Sequence, residues 1–461
     1  MVDLHSFIVK QSCSIRDALD KIQANRYGII FVVSDDSNSV VGLATDGDIR
    51  RSLLNNISIE NSISLCINKN FISVAPNYSR EDLLKKLDNR IRIIPVLNAA
   101  GELLSIFTRD NIPALKEQRL YARSTSPVRI SFGGGGSDLT NYFSSQSGAV
   151  INATISLYSH ATLKLREDDN VRIFSEDLKQ SISADNLSLL LNKKSDFGLI
   201  QSILKIINPT FGFDLYIHSD FPLRSGLGGS AVVSSAILGC FNEFRQDRWD
   251  SHELAEIAFE AERLHLNVAG GWQDQYATVF GGFNFIEFNM SQNIVHPLRI
   301  NTNVLLELEE SLILCDTGLS HDSGKIHSEQ KINMKNEIIQ NEIKYNVDLS
   351  YQMKNYLLRG KLLDFGKLLN QAWQSKRKFS DKISNNSLDC IYNLAISNGA
   401  IGGKLLGAGG GGFFLFYVTP FRKLNLMEGL TNAGLKLTKF KFDLVGLQSW
   451  TARENFDSEI C

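Results

Sequence analysis

Pro222-Leu-Arg-Ser-Gly-Leu-Gly-Gly-Ser-Ala231 follows a strand-like run, Phe213 to His218, and leads into an apolar helical stripe at Val232, Val233, Ala236, Ile237 and Phe241. A strand that breaks into glycines and re-enters a helix leaves the first helical amides without partners, and the positive end of the helix dipole reinforces them. Such a helix start is a pocket for phosphate oxygens. No lysine follows at the spacing GxxxxGK[ST], so the loop is not of the Walker kind. Gly226, Gly228 and Ala231 also fit the spacing of a dinucleotide fingerprint. That fingerprint joins its strand directly to the first glycine, whereas Asp220 to Ser225 intervene here. Gly226, Leu227, Gly228, Gly229 and Ser230 are therefore the expected phosphate-binding residues.

Two further glycine-rich segments lie on either side. Ser126-Pro-Val-Arg-Ile-Ser-Phe-Gly-Gly-Gly-Gly-Ser-Asp138 is a short strand that ends in four glycines. Residues without Cβ let a ligand approach the backbone, at an entropic cost that a plain connector does not require; Gly134 and Gly135 are the expected contacts. Arg129, before the glycines, can brace a phosphoryl group, and Asp138, after them, can accept from two sugar hydroxyls. Gly402-Gly-Lys-Leu-Leu-Gly-Ala-Gly-Gly-Gly-Gly412 runs straight into the strand Phe413 to Val418. Glycines before a strand offer no helix terminus, so this segment reads as a lid over the phosphates, as close packing of backbone on ligand, or as a β-turn. Gly409 and Gly410 are its candidate nucleotide contacts.

Between them stands Ala261-Glu-Arg-Leu-His-Leu-Asn-Val-Ala-Gly-Gly-Trp-Gln-Asp-Gln-Tyr276. Phosphoryl transfer needs a carboxylate or hydroxyl for magnesium and a group to orient or deprotonate the acceptor. Glu262, on the helix-like Leu254 to Leu264, and Ser230 suit the first task. Asp274, just past Gly270 and Gly271, suits the second, and Gln273 beside it is a candidate sugar contact. Lys376, Arg377 and Lys378 read as an exposed helix face, with a distal substrate phosphate as the alternative.

The chain of 461 residues is long enough for two or three domains. Its 43% apolar and 21% charged residues fit a globular protein, and a net charge of -2 lacks the basic excess that nucleic-acid binding needs. Six scattered cysteines read as reduced thiols in a cytoplasm. The start MVDLHSFIVK lacks a signal layout, and the longest low-charge stretch, Gly399 to Val418, is too rich in glycine for a spanning helix, so no membrane segment is expected.

Residues 1 to 120 hold an internal duplication. Helical spacing at Ile15 to Gln23, strands at Gly28 to Val33 and Val40 to Ala44, and a helix at Asp46 to Leu54 are echoed by a helix at Ser79 to Leu87 and strands at Ile91 to Val96 and Leu103 to Phe107. Gly42-Leu-Ala-Thr-Asp-Gly-Asp48 and Ser105-Ile-Phe-Thr-Arg-Asp-Asn111 close the two units. This half resembles a tandem cystathionine-β-synthase-type (CBS) pair. The resemblance implies that Thr45 meets phosphate and Asp48 the ribose of a regulatory adenine nucleotide. Ser105 and Asn111 depart from the pattern and put a second nucleotide in doubt. A homodimerisation or docking module without ligand is the other reading.

From Arg123 to Phe442 the three glycine motifs, in this order, resemble the galactokinase, homoserine kinase, mevalonate kinase and phosphomevalonate kinase (GHMP) superfamily. The implied fold is α+β and two-lobed, with lobes at 121–310 and 311–461, the second ferredoxin-like, after a CBS pair at 1–120. The implied cofactors are ATP and Mg2+, with magnesium on Ser230 and Glu262, Asp274 and Arg129 catalytic, and Asp138 on the sugar. Gln273-Asp-Gln-Tyr-Ala277 and Phe280-Gly-Gly-Phe-Asn-Phe-Ile-Glu-Phe288 resemble the heptose 7-phosphate kinases, which act on the anomeric hydroxyl on the way to surface polysaccharide. Gly229 stands where a second serine is common, Trp272 is similar instead to fucokinases, and His321 stands where arginine is usual; the last two bear on which sugar fits. A free-sugar 1-kinase and a non-catalytic nucleotide-sensing scaffold are the alternatives.

Overall fold

The computed structural model describes residues 4–87, 91–108, 119–222, 225–319, 323–334 and 336–454. Asn111, His321 and most of the segment that carries the expected domain boundary lie outside them. The chain forms two compact units, Met1–Gln118 and Arg119–Cys461.

In the first unit, strands Ile8–Lys10, Ile29–Val33 and Val40–Thr45 form one sheet, the first pair parallel and the second antiparallel. Helix Ile15–Asn25 buries Ile15, Ala18 and Ile22, the i, i+3, i+7 stripe of an amphipathic helix, against Ile30, Val32 and Ala44. The second repeat builds a hairpin from Ile93–Leu97 and Leu103–Thr108, with Leu83 of helix Arg80–Lys86 buried against Ile94 and Val96. Both repeats start a helix with a capping box, Thr45 with Asp48 and Ser79 with Asp82.

The second unit rests on two long antiparallel strands, Arg119–Gly133 and Gly148–Leu165, the centre of a nine-stranded sheet. Phe213–Ser219 pairs antiparallel with the second of these and parallel with Val171–Ser175. The helix Gly229–Asn242 buries Ala231, Val232 and every residue from Ser234 to Asn242, so it lies deep in the lobe rather than on its face. Leu312–Asp316, Ala400–Leu405, Phe413–Val418 and Lys436–Thr438 form a four-stranded antiparallel sheet; numbered along the chain, their spatial order is 4-1-3-2. With helices between its first and second strands and between its third and fourth, this is a ferredoxin-like arrangement.

One boundary differs from expectation. After the second lobe the chain returns to the first: Phe442–Asp443 pairs with Gly148–Leu165, and Gln448–Glu454 pairs with Arg119–Gly133. The returning strand covers Arg119–Gly133 on the side away from Gly148–Leu165, which would otherwise be an open edge.

Candidate active site

The loop before helix Gly229–Asn242 ends at Gly228, whose φ of 82° places it in the left-handed region, and no side chain caps the helix. Gly226 is also left-handed, at 76°. The loop and helix start line a cleft of about 350 Å³, with Gly226, Gly228, Gly229, Ser230 and Ala231 in its walls together with Asp177, Leu178, Phe197 and Ile217. Leu227, expected among the phosphate contacts, buries its side chain in the core, and its carbonyl accepts from the Arg129 amide at 3.3 Å.

The third glycine segment packs backbone on backbone against this loop. A Cβ on Gly412 would lie 2.3 Å from the Ser225 carbonyl oxygen, and one on Gly407 would lie 2.7 Å from Gly226 Cα. Gly407 and Ala408 line the cleft. Gly409 and Gly410, the expected nucleotide contacts, do not: a Cβ on Gly409 would strike Ile383 at 2.8 Å, and the Gly410 amide donates to the Ile383 carbonyl at 2.9 Å.

Arg129, 4% exposed on its strand, aims at the start of the loop. Its Nε donates to Asp274 Oδ1 at 2.7 Å and its Nη1 to the Gly226 carbonyl at 2.8 Å. Asp274 is the second residue of helix Gln273–Phe280, where the dipole favours a carboxylate. A Cβ on Gly228 would sit 3.4 Å from its Oδ2, so the carboxylate stands against the phosphate loop. Glu262 lies on a π-helical turn, Ala261–His265, that continues helix Ser251–Glu260. It accepts from Gln275 Nε2 at 2.9 Å, pairs with Arg263 at 3.1 Å and takes a hydrogen bond from the Ser230 hydroxyl. Burial raises its pKa, with Arg263 opposing and Asp274 adding to the shift. The structure therefore brings Arg129, Ser230, Glu262 and Asp274 to one place.

A smaller pocket opens beside it, sharing Arg129, Asp274 and Gly407 with the cleft and adding Ser131, Gly135, Gly136, Asp138, Gln273 and Lys376. Asp138 accepts from the amides of Gly136 at 3.0 Å and Gln273 at 3.3 Å. Burial, then Asp274, raises its pKa. The pair Gly270 and Gly271 is explained here: a Cβ would fall 2.3 Å from the Arg263 guanidinium at the first and 1.9 Å from Asp138 Oδ2 at the second. Gly135 faces open space, whereas Gly134 (φ 81°) is held against the Ala149 carbonyl, where a Cβ would come within 1.9 Å; it shapes the turn and does not line the pocket. Ser131 Oγ and Gln273 Oε1 are buried with no hydrogen-bond partner among the described residues. Unpaired buried polar atoms in a pocket are matched by a hydroxyl-bearing ligand.

Two residues of the site, His327 and Arg263, carry no expectation from the sequence, and a third, Lys376, is read there only as the alternative to an exposed helix face. Lys376, expected on an exposed helix face, is 7% exposed and lines the pocket. His327, from helix Ser323–Asn333, lines both cavities; burial, then Arg263, pushes its pKa down to about 4, so its ring is neutral at pH 7. Arg263 holds the Val268 and Gly271 carbonyls at 3.3 and 3.2 Å. Trp272 stacks on Phe259 with ring centroids 3.5 Å apart and donates to Thr140 Oγ1. In the first unit, Thr45 and Asp48 are engaged with each other: the Thr45 hydroxyl donates to Asp48 Oδ2 at 2.6 Å, and Asp48 Oδ1 accepts from Arg51.

The model of the GHMP kinases N terminal domain matches residues 197–282, that of the GHMP kinases C terminal matches 353–428, and the CBS domain matches 3–55 and 62–112. The D-glycero-alpha-D-manno-heptose 7-phosphate kinase of Campylobacter jejuni is 37% identical over 71% of this chain and 98% of its own. The L-fucokinase/L-fucose-1-P guanylyltransferase of Bacteroides fragilis is 26% identical over 68% of this chain but only 36% of its own. The crystal structure of a D-glycero-D-manno-heptose 1-phosphate kinase from Bacteroides thetaiotaomicron superposes with a TM-score of 0.59 at 28% identity, over 71% of this chain and 98% of that one. Among the described residues no helix is long and apolar enough to cross a membrane. A glycine loop at an uncapped helix start, a carboxylate–arginine pair against it and a relative of this identity over nearly its whole length lead to one conclusion: the chain belongs to the GHMP kinase family, as an ATP-dependent sugar kinase that also carries a CBS pair.

Proposed function

We propose that the chain phosphorylates the anomeric hydroxyl of D-glycero-D-manno-heptose 7-phosphate, on the way to a nucleotide-activated heptose for surface polysaccharide. The observation that carries this reading is the pocket of Asp138, Gln273 and Ser131 beside the Arg129–Asp274 pair, in a chain 37% identical to a heptose 7-phosphate kinase. Asp138 and the unpaired Ser131 and Gln273 oxygens bind sugar hydroxyls. Asp274 orients the acceptor hydroxyl and takes its proton, while Arg129 fixes the carboxylate and faces the charge on the moving phosphoryl. The open amides at Gly228 to Ser230 hold the ATP phosphates.

Ser230 and Glu262 fit Mg2+. One buried carboxylate beside one hydroxyl matches an ion that keeps most of its waters and takes the rest of its shell from substrate phosphates. When bound, the ion neutralises charge on those phosphates. Most of the acceleration is assigned to positioning and electrostatics, since the protein has little covalent chemistry to do.

A sugar panel with ADP release as readout, and the product's phosphate position read by phosphorus magnetic resonance, tests this assignment. Turnover of heptose 7-phosphate to a 1,7-bisphosphate is the expected result. Preference for free fucose, which Trp272 and the fucokinase relative would favour, refutes it. The first CBS repeat is proposed to take an adenine nucleotide at Thr45 and Asp48. Calorimetry on the full chain should detect AMP binding that Asp48→Asn abolishes; equal binding by that variant removes the idea.

A further inference from the structure

The run Lys376-Arg377-Lys378 divides in the fold. Arg377 pairs with Asp389 at 2.7 Å and Lys378 with Glu342 at 2.6 Å. Lys376, at the end of helix Leu362–Lys376, turns inward, and its amine donates to the Gly407 carbonyl. Lys404 is 2% exposed on strand Ala400–Leu405 and interacts electrostatically with Lys376. Neither lysine forms an ion pair among the described residues. Burying an ammonium without an anion is costly, so such a group is kept for a ligand that brings the charge or is relieved by losing its proton.

The pocket's own carboxylates are already committed. Asp274 holds Arg129, and Asp138 accepts from two backbone amides. Lys376 lines the small pocket with Asp138 and Gln273 and is absent from the lining of the nucleotide cleft. We propose that Lys376 is the receptor for a phosphate already carried by the sugar, so that this pocket selects sugar phosphates over neutral sugars. The proposal rests on the sugar-kinase reading of the same pocket.

The charges around Lys376 give it a pH signature. Its own burial, then Arg129, lowers its pKa to about 8, Asp138 and Asp274 oppose this, and His327 and Lys404 also face it. Burial and Lys376 push the Lys404 amine well below its ordinary range, and His327 is neutral at pH 7. A phosphate dianion favours the charged form of Lys376 and raises its pKa on binding. Affinity for the sugar phosphate dianion therefore falls as pH rises past about 8.

Kinetics with heptose 7-phosphate and with the unphosphorylated heptose, in wild type, Lys376→Met and Lys376→Arg, test this. In Lys376→Met the KM for the sugar phosphate should rise by about 10- to 100-fold, the range of a lost charged hydrogen bond, with the KM for ATP unchanged. The preference for the phosphorylated sugar and the alkaline fall in its kcat/KM should both vanish, and Lys376→Arg should restore part of the preference. An unchanged preference, or a rise in the KM for ATP instead, overturns the proposal. Should Lys376→Met fail to fold, calorimetry of wild type with heptose 7-phosphate decides: proton uptake on binding at pH 9 supports it, and its absence overturns it. A wild-type chain that phosphorylates neither sugar refutes the underlying reading, whereas one that uses both equally well removes only this inference.

Discussion

The cleft at the glycine loop, proposed for the nucleotide, and the smaller pocket beside it, proposed for the sugar, share Arg129 and Asp274 but are built from different materials. The cleft presents backbone: left-handed glycines at 226 and 228, an uncapped helix start, and a second glycine segment packed against the first. The pocket presents buried side chains: Asp138 held by backbone amides, Lys376 on the Gly407 carbonyl, and the Ser131 and Gln273 oxygens without partners among the described residues. A backbone site announces itself through residues whose only advantage is the absence of a Cβ. A side-chain site is written in residue types that are ordinarily on the surface, and only the fold shows them buried.

The comparison predicts unequal responses to substitution. The largest belongs to a carboxylate that both sites share: Asp274→Asn should lower kcat by about 10²–10⁴-fold, the scale of a general base, and leave ATP affinity unchanged by equilibrium binding. Arg129→Gln should cost kcat/KM about 10²–10³-fold, as when one preorganised donor is removed, and should affect both substrates, since Arg129 holds both Asp274 and the Gly226 carbonyl. Gly228→Ala strains the cleft alone. A left-handed alanine costs about 1–2 kcal/mol, so the KM for ATP should rise about tenfold in steady-state kinetics while the KM for the sugar stays.

The smallest effect belongs to the pocket and is seen in stability. The pKa of Asp138 is raised by burial, so its contribution to stability is fully present below the ordinary carboxylate range and is lost as pH rises through the folded value. Melting curves of Asp138→Asn should accordingly gain on wild type at pH 8 and show little difference at pH 4. An equal change at both pH values would mean that the aspartate is not held in an unfavourable charged state.

The same contrast governs what could be read before the fold. Helix Asp46–Leu54 and strand Phe413–Val418 follow from local pattern, as does the phosphate loop, because spacing and glycine chemistry are local. Gly409 and Gly410 were assigned to the nucleotide because a glycine run cannot tell a ligand from a neighbouring backbone; in the fold they meet Ile383. Leu227 looked like part of the loop, yet its apolar side chain is spent on the core. Lys376 looked solvated beside Arg377 and Lys378, and the helix end separates it from them. The return of Gln448–Glu454 to the first lobe depends on pairing across more than three hundred residues, which no local pattern records.

Four side chains distant in sequence, 129, 230, 262 and 274, are held here to surround one phosphoryl group and its ion. A crystal structure of the full chain with magnesium and a non-hydrolysable ATP analogue examines this most directly. The account predicts the ion on Ser230 and Glu262, and the terminal phosphate beside Arg129 with Asp274 facing it. A terminal phosphate bound elsewhere in the cleft, out of reach of the Asp274 carboxylate, would contradict it.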